Sequence, residues 1–148
     1  MQYIEVNSSK VPLDLLLEAD PSEASISSYL SGAWSFVALD SDRTVAACIV
    51  KPQANGVAEI FNVSVIPKFQ AKGIGTELLK LVLSELPNKG INRVELGTGT
   101  FGYQLIYYQR LGFRVDSVAK DHFLLNYPEP IYENGIQHKD MLRLYVNV

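Results

Sequence analysis

Two apolar segments separated by a polar turn stand in the first third of the chain. Trp34–Leu39 and Thr44–Val50 consist mainly of apolar and β-branched residues, and Asp40–Arg43 between them is polar. Short apolar runs on either side of a polar turn are typical of a β-hairpin. A third run, Ala58–Val65, follows another turn at positions 52–56. The sequence therefore predicts three consecutive antiparallel strands.

The clearest helical pattern follows this predicted sheet. Apolar residues recur at helical spacing over Thr76–Leu86, where Leu78, Leu79, Val82, Leu83 and Leu86 share one face. A predicted strand at Ile91–Leu96 comes next, and a strand, helix and strand in this order form a βαβ unit with parallel pairing. A second helix is predicted over Tyr103–Leu111, before Gly112.

The two ends of the chain carry weaker patterns. They predict strands at Tyr3–Val6, from Phe113 onward and at Met141–Val146, and helical turns after Pro12 and after Ser22. No repeat, low-complexity tract or linker divides the sequence. We therefore expect one domain over residues 1–148, a length that fits a single domain.

Composition and charge narrow the class of protein. Apolar residues make up 47% and charged residues 20% of the chain, which is ordinary for a globular protein and excludes a disordered one. No apolar run reaches the roughly 20 residues that span a bilayer. The net charge of −3 gives no general attraction to nucleic acid or to anionic membranes, so neither is an expected partner.

The single cysteine and the N-terminus bear on the compartment. Cys48 lies in the apolar run Val45–Val50 and cannot form an internal disulfide, and a small buried side chain is its expected role. Met1–Glu5 has neither a basic flank nor an apolar segment typical of a signal peptide. A cytoplasmic location is the expectation.

The loop at Gln70–Gly75 carries the most chemical information. It stands between a predicted strand and a predicted helix, where glycines allow positive φ and helix N-terminal N–H groups attract anions. Lys68 and Lys72 add positive charge. A P-loop is excluded because no Lys-Ser or Lys-Thr pair follows Gly75, and a dinucleotide fingerprint would need glycine at Leu78. A phosphate site and a plain glycine-rich turn both remain open at this point.

Two motifs in order resemble the GNAT superfamily of acetyl-CoA-dependent N-acetyltransferases. Gln70–Gly75 matches the pattern Q/R-x-x-G-x-G/A, and Tyr108–Phe113 matches a helical tyrosine followed by Gly-Phe four residues later. The resemblance spans residues 33–115, and the tail is similar to an uncharacterised bacterial branch. It implies a mixed α/β (α+β) fold: a mostly antiparallel central sheet, a βαβ acetyl-CoA-binding unit and flanking helices.

The resemblance also implies the reaction and its residues. The expected activity is transfer of acetyl from acetyl-CoA to a primary amine of a small molecule or peptide, and the alternative is a catalytically silent CoA-binding module. Tyr108 is the implied general acid, and Glu59 the implied general base. The implied cofactor-binding residues are Val63, Ser64, Val65, Gln70, Ala71, Lys72, Gly73, Ile74, Gly75, Thr76 and Thr100.

Each catalytic candidate has a second interpretation. Burial would raise the pKa of Glu59 toward neutrality and suit it for general base catalysis, but a solvated edge residue fits the same pattern. Tyr108 either protonates the leaving thiolate or only packs beside the cofactor. Many family members have asparagine where this chain has Phe101, so Thr98 or Thr100 is expected to cap the helix and contact the cofactor arm instead.

The sequence also bears on metal binding, on the charge of the acceptor site and on self-association. His122 and His138 are the only histidines and neither has a cysteine or second histidine at ligand spacing, so no metal is expected. Five acidic residues near the first helices and in the tail have two interpretations. They either line the entrance of a pocket for a cationic amine or are solvated charges on loops: Glu18, Asp20, Glu23, Glu129 and Glu133. A homodimer is hypothesised through an exposed edge at Leu142–Tyr145.

Overall fold

A seven-stranded sheet is the centre of the fold. The computed structural model describes residues 1–148, with a mixed α/β architecture and a mostly antiparallel sheet of seven strands in the order β1-β2-β3-β4-β5-β9-β6. The nine strands in chain order are β1 Gln2–Val6, β2 Trp34–Asp40, β3 Arg43–Pro52, β4 Val57–Val65, β5 Arg93–Gly99, β6 Arg114–Ala119, β7 Tyr132–Glu133, β8 Ile136–Gln137 and β9 Met141–Asn147. The fold class predicted from the sequence is confirmed.

Five α-helices accompany the strands. They are α1 Leu13–Leu16, α2 Glu23–Leu30, α3 Ile74–Glu85, α4 Tyr103–Arg110 and α5 His122–Asn126. The hydroxyl of Ser22 accepts a hydrogen bond from the N–H of Ser25 and caps α2. None of the helices combines the length and the apolar character needed to cross a membrane.

The chain divides into two compact units, residues 1–94 with Val148, and residues 95–147. The first unit contains the predicted antiparallel strands. Strand β2 pairs with β3 through the tight turn at Ser41, which has φ of 55°, and β3 pairs with β4. Strand β1 adds to β2 on the other side. The predicted hairpin and third strand are thus confirmed.

The core of the first unit lies on both faces of β3. Val45–Val50 is completely buried, and since alternate residues of a strand point to opposite faces, helices must cover both. Residues of α1 and α2, including Leu15, Leu16 and Ile26, cluster with Ala47 and Ile49. Helix α3 contacts β2, β3 and β4. Its buried side chains are Ile74, Leu78, Leu79 and Val82, while Leu83 is only half-buried.

The second unit contains the C-terminal strands. β6 pairs with β9, and β7 pairs with β8 in a small hairpin. The exposed edge predicted at Leu142–Tyr145 is wrong, because β9 lies between β5 and β6 in the strand order and β6 stands at the edge. Short elements such as α5 and the β7–β8 hairpin had no counterpart among the sequence expectations.

Candidate functional site

The loop after β4 is fastened to the end of that strand. Pro67–Phe69 forms one turn of 3-10 helix, and the side-chain amide of Gln70 donates a hydrogen bond to the carbonyl of Val65 at 2.9 Å. The ammonium of Lys72 lies 5.5 Å from the centre of the Phe69 ring. The structure therefore gives Gln70 a role in closing the loop, and it brings this predicted site residue against another, Val65.

Helix α3 begins without a side-chain cap. Its N-cap is Gly73, with φ of 81°, and no side chain bonds the free N–H groups of the first turn. The first bond from the loop into the helix runs from the N–H of Glu77 to the carbonyl of Gly73 at 3.0 Å. The N–H groups of Ile74, Gly75 and Thr76 therefore have no acceptor within the helix. Predicted to begin at Thr76, the helix begins two residues earlier because Gly75 adopts helical geometry.

The space above Gly73 is open. A Cβ atom at this position would have no other atom within 4 Å, although its positive φ would strain an ordinary residue. Ala71 also has positive φ, 58°. An open, glycine-led helix start with unpaired N–H groups can hold an anion such as a phosphate, which favours the binding interpretation of the loop over the plain turn.

Strand β4 changes its register close to the predicted site. Ile49 pairs with Asn62 and Val50 pairs with Ile60, so Phe61 is an extra residue that forms a β-bulge. Phe61 stacks on Tyr29 with ring centres 5.0 Å apart. Bulges redirect strands and are frequent near functional sites. This bulge was not evident from the sequence, because the alternation of apolar residues continues through it.

The predicted contacts of β4 lie beyond the bulge. Val63 and Val65 are half-buried, and Ser64 between them is 2% exposed. The Ser64 hydroxyl has no hydrogen-bond partner. These three residues lead directly into the loop that ends at Gly73, so the first unit contains the predicted backbone segment and the predicted anion site in one continuous stretch.

Glu59 lies near the start of β4. It is half-buried and stands opposite Lys51 in the register of β3 and β4. The position is thus intermediate between the buried and the solvated interpretations. A carboxylate that is partly withdrawn from water keeps its capacity to accept a proton from a nearby amine.

A buried polar network was missed in the sequence. The Tyr29 hydroxyl donates to the carboxylate of Asp20 at 3.1 Å, and the amide of Asn62 donates to the Tyr29 oxygen and to the Leu16 carbonyl, both at 3.0 Å. Asp20 is 7% exposed, which excludes the solvated-loop alternative for this residue. Asn62 is the residue from which the sequence could have predicted this network, since it is polar and stands in an apolar strand pattern.

In the second unit, Tyr108 lies in the last turn of α4. Its ring meets Phe113 edge-on with centres 5.9 Å apart, and its carbonyl accepts the N–H groups of Leu111 and Phe113. The plane of the neighbouring Tyr107 ring is tilted by 59° from that of the Tyr108 ring. The Tyr-to-Gly-Phe motif is thus a local structure in which the helix end and Phe113 hold the tyrosine in place.

The expected threonine cap of α4 is wrong. The N-cap is Gly102, with φ of 107° and no side-chain cap, because β5 extends through Thr98 to Gly99. Thr98 is buried in that strand, whereas Thr100 is exposed. A contact from Thr100 to the cofactor stays a prediction.

Two residues of the tail, a buried histidine and a half-buried glutamate, form a pair. His138 is 7% exposed, and its Nε2 lies 2.9 Å from Glu133 Oε1. The sequence offered no signal for this pair beyond the two residue types. No group of three or more His, Cys, Asp and Glu side chains is arranged to hold a metal ion.

Comparisons with known proteins agree with this geometry. The family described as Acetyltransferase (GNAT) family matches residues 13–113. The uncharacterized N-acetyltransferase YvbK of Bacillus subtilis is 36% identical over 136 residues, which cover 91% of this chain and 88% of that protein.

Two solved structures are similar over nearly the whole chain. The IAA acetyltransferase from Bacillus cereus has a TM-score of 0.94 at 34% identity and covers 99% of each chain. An acetyltransferase from Elizabethkingia anophelis with acetyl-CoA bound has a TM-score of 0.94 at 37% identity, covering 99% of this chain and 97% of that one.

Proposed function

Because the chain belongs to the GNAT family and is an acetyl-CoA-dependent N-acetyltransferase, we propose that it acetylates a primary amine of a small molecule or peptide. The observation that carries the proposal is the open, uncapped start of α3 at Gly73. A helix start of this kind favours the phosphates of a coenzyme. The Elizabethkingia anophelis relative, with acetyl-CoA bound, supports the same ligand here.

The loop before α3 is proposed to bind the pyrophosphate. The N–H groups of Ile74, Gly75 and Thr76 would donate hydrogen bonds, and the helix dipole would add favourable charge. Lys72 contributes an ammonium, while the bond from Gln70 to Val65 keeps the loop in place. Ala71 and Gly73 supply the positive φ values that turn the backbone N–H groups outward.

The backbone of Val63, Ser64 and Val65 is proposed to hold the pantetheine arm. Acetyl-CoA supplies the acetyl group as a thioester. A backbone N–H of this segment would polarise its carbonyl, since a fixed donor aimed at developing negative charge lowers the barrier to attack. The bulge at Phe61 supports the proposal, because a bulge interrupts regular pairing and redirects the strand just before these residues.

Glu59 is proposed as the general base. An amine must lose a proton before it can attack, and a half-buried carboxylate can accept that proton directly or through a water molecule. Tyr108 is proposed as the general acid that protonates the departing thiolate. Its ring is held against Phe113, so the hydroxyl has a fixed position relative to α4.

The other proposals about ligands, location and self-association rest on the sequence. Acetyl-CoA and an amine are the proposed ligands, and Thr100 is a proposed contact to the cofactor arm. A bacterial origin, a cytoplasmic location, a homodimer and the lack of nucleic-acid, membrane and metal partners stay predictions.

A panel of amines tests the proposal. The protein is incubated with acetyl-CoA and one amine at a time, including polyamines, amino acids, aminoglycosides and N-terminal peptides, and thiol release is measured. Isothermal titration with acetyl-CoA runs in parallel. Release that depends on one class of amine supports the proposal and names the acceptor. Binding without release from any amine would favour a silent CoA-binding module.

A further inference from the structure

The pair Glu133–His138 is an unusual feature of the second unit. The carboxylate of Glu133 can only accept, so the Nε2 of His138 carries a hydrogen and donates it at 2.9 Å. The other ring nitrogen, Nδ1, is buried and has no hydrogen-bond partner.

The imidazole ring packs directly on the backbone at the end of β5. A Cβ atom on Gly99 would collide with the Cε1 atom of His138 and lie 2.6 Å from its Nδ1. The ring also stacks on Phe101, with centres 4.1 Å apart and planes 5° from parallel. Only glycine at position 99 allows this approach.

The carboxylate of Glu133 contacts the same segment three residues further on, at Gly102. A Cβ atom on Gly102 would lie 2.7 Å from Glu133 Oε2. Gly102 is the N-cap of α4, and no side chain caps that helix by a hydrogen bond. A carboxylate beside a helix N-terminus interacts favourably with the helix dipole. Histidine and glutamate therefore fix both ends of the turn Gly99–Gly102, from which α4 starts.

We propose that Glu133 and His138 are positioning residues for acetyl transfer, because their hydrogen-bonded pair holds the Gly99–Gly102 turn and thereby the helix that carries Tyr108. The inference rests on the proposed function, in which Tyr108 is the general acid. The pair makes no contact with the reacting atoms in this account. It acts by keeping the Tyr108 hydroxyl in one position, and small displacements of a catalytic group are costly.

Kinetics of four variants test the inference. His138→Ala should lower kcat by about ten- to a hundred-fold, while KM for acetyl-CoA changes little, because the coenzyme loop lies elsewhere in the chain. His138→Gln keeps an amide donor near the place of Nε2 and should recover part of the loss. Glu133→Ala, which removes the acceptor of the hydrogen bond, should resemble His138→Ala. His122→Ala, at the other histidine, is the matched control and should leave kcat unchanged.

A double variant separates positioning from general damage. If the pair acts through Tyr108, adding His138→Ala to Tyr108→Phe should lower kcat by less than about threefold beyond Tyr108→Phe alone. Independent, multiplying losses would overturn the inference, as would kcat values of His138→Ala and Glu133→Ala equal to that of the parent. If His138→Ala does not fold, His138→Gln takes its place in the cycle.

Hydrogen exchange gives a readout that needs no activity. Amides of α4 should exchange about tenfold faster in His138→Ala and Glu133→Ala than in the parent, with amides of α3 unchanged. Unchanged exchange in α4 would overturn the inference. A parent that releases no thiol with any amine would overturn the proposed function instead, and exchange in α4 would still decide whether the pair holds the helix.

Discussion

Tyr107 and Tyr108 are adjacent on α4 but have different surroundings. Tyr108 lies edge-on against Phe113, and the ring of Tyr107 is tilted 59° from that of Tyr108. Neighbouring residues on a helix point about 100° apart, so only one of the two can serve as the proposed general acid. The motif in the sequence assigns that role to Tyr108.

Replacing Tyr108 by phenylalanine tests its role. Turnover should fall by roughly ten- to ten-thousand-fold, since the general acid is lost and water replaces it poorly. Affinity for acetyl-CoA should hardly change, because the ring remains, and the loss should be smaller for acyl donors whose thiol is more acidic. Steady-state kinetics and titration measure both quantities. Tyr107→Phe is the control, and equal turnover of both variants and the parent would limit Tyr108 to packing.

Asp140 provides a test of stability against pH. Its carboxylate accepts the N–H of Asp121 at 2.8 Å, and this bond, with the nearby charge of Lys120, lowers its pKa below the ordinary 3.8. Because the folded state favours the ionised form, its stabilisation is present above pH 3.8 and is lost as the pH falls through the lowered folded pKa.

Thermal unfolding at several pH values measures this effect. Asp140→Ala should have a lower Tm than the parent at pH 7, and the difference should shrink in acid as the parent carboxylate becomes protonated. Asp42→Ala removes the same charge from the exposed β2–β3 turn and serves as the control. A Tm difference for Asp140→Ala that stays constant down to the most acid pH would contradict the assignment.

Cys48 shows how burial decides the chemistry of a residue. The thiol is completely buried in β3, and burial raises its pKa, which suppresses the reactive thiolate. The sequence prediction of a small buried side chain is confirmed.

Among the helices and strands, the start of α3 is the feature with the most direct relation to acetyl-CoA binding. Gly73 and Gly90 are a natural pair for comparison, with φ of 81° and 82° and with no atom near the position of a Cβ in either case. Gly73 precedes α3, whereas Gly90 follows the short 3-10 helix Leu86–Lys89. Substitution at either glycine introduces similar backbone strain. A difference in acetyl-CoA binding between the two variants would therefore come from the position of Gly73 at the start of α3.

The pair gives a matched experiment. Gly73→Glu should abolish the rise in Tm that acetyl-CoA causes in the parent, because the side chain adds volume and negative charge beside the proposed pyrophosphate site. Gly90→Glu should lower the basal Tm by a similar amount and keep the rise. Thermal shift with and without acetyl-CoA measures this. A full rise in Gly73→Glu would contradict the phosphate-binding role of the loop.

Elements with a local signal were predictable from the sequence. The β2–β3 hairpin, α3 and α4 appear close to their expected places, because alternation, helical periodicity and terminal glycines are local properties. The sequence predicted that β5 ends at Leu96, because the glycine and threonine residues at 97–99 are typical of a loop. This prediction is wrong, since β5 extends to Gly99. The structure keeps them in the strand because Met141 packs where a Cβ on Gly97 would lie, and His138 does so at Gly99. Such contacts come from residues about 40 positions away and leave no local signal.

The candidate site was predictable in part for the same reason. The loop from Gln70 to Gly75 and the Tyr108 motif could be found as patterns, and the structure gives the loop the open helix start that phosphate binding needs. The bulge at Phe61 and the Asp20–Tyr29–Asn62 network depend on packing between elements, so they could be found only in the structure.

At the scale of the whole molecule, self-association is the open structural prediction. Strand β6 stands at the edge of the sheet, and Val115 and Val118 on it are 47% and 52% exposed. An edge strand with exposed apolar side chains is suited to pairing with a second copy. Light scattering at micromolar concentration should give twice the mass of the 16.5 kDa chain. A monomer mass would contradict the hypothesis.

The proposed reaction transfers an acetyl group from acetyl-CoA to an amine. The most direct measurement follows both products in one reaction, thiol release by absorbance and the acetylated amine by mass spectrometry, using an amine that the panel identifies as active. One acetylated amine should form for each thiol released, and neither product should form with Gly73→Glu. Thiol release without an acetylated amine would contradict amine acetylation, because the acetyl group would then pass to water.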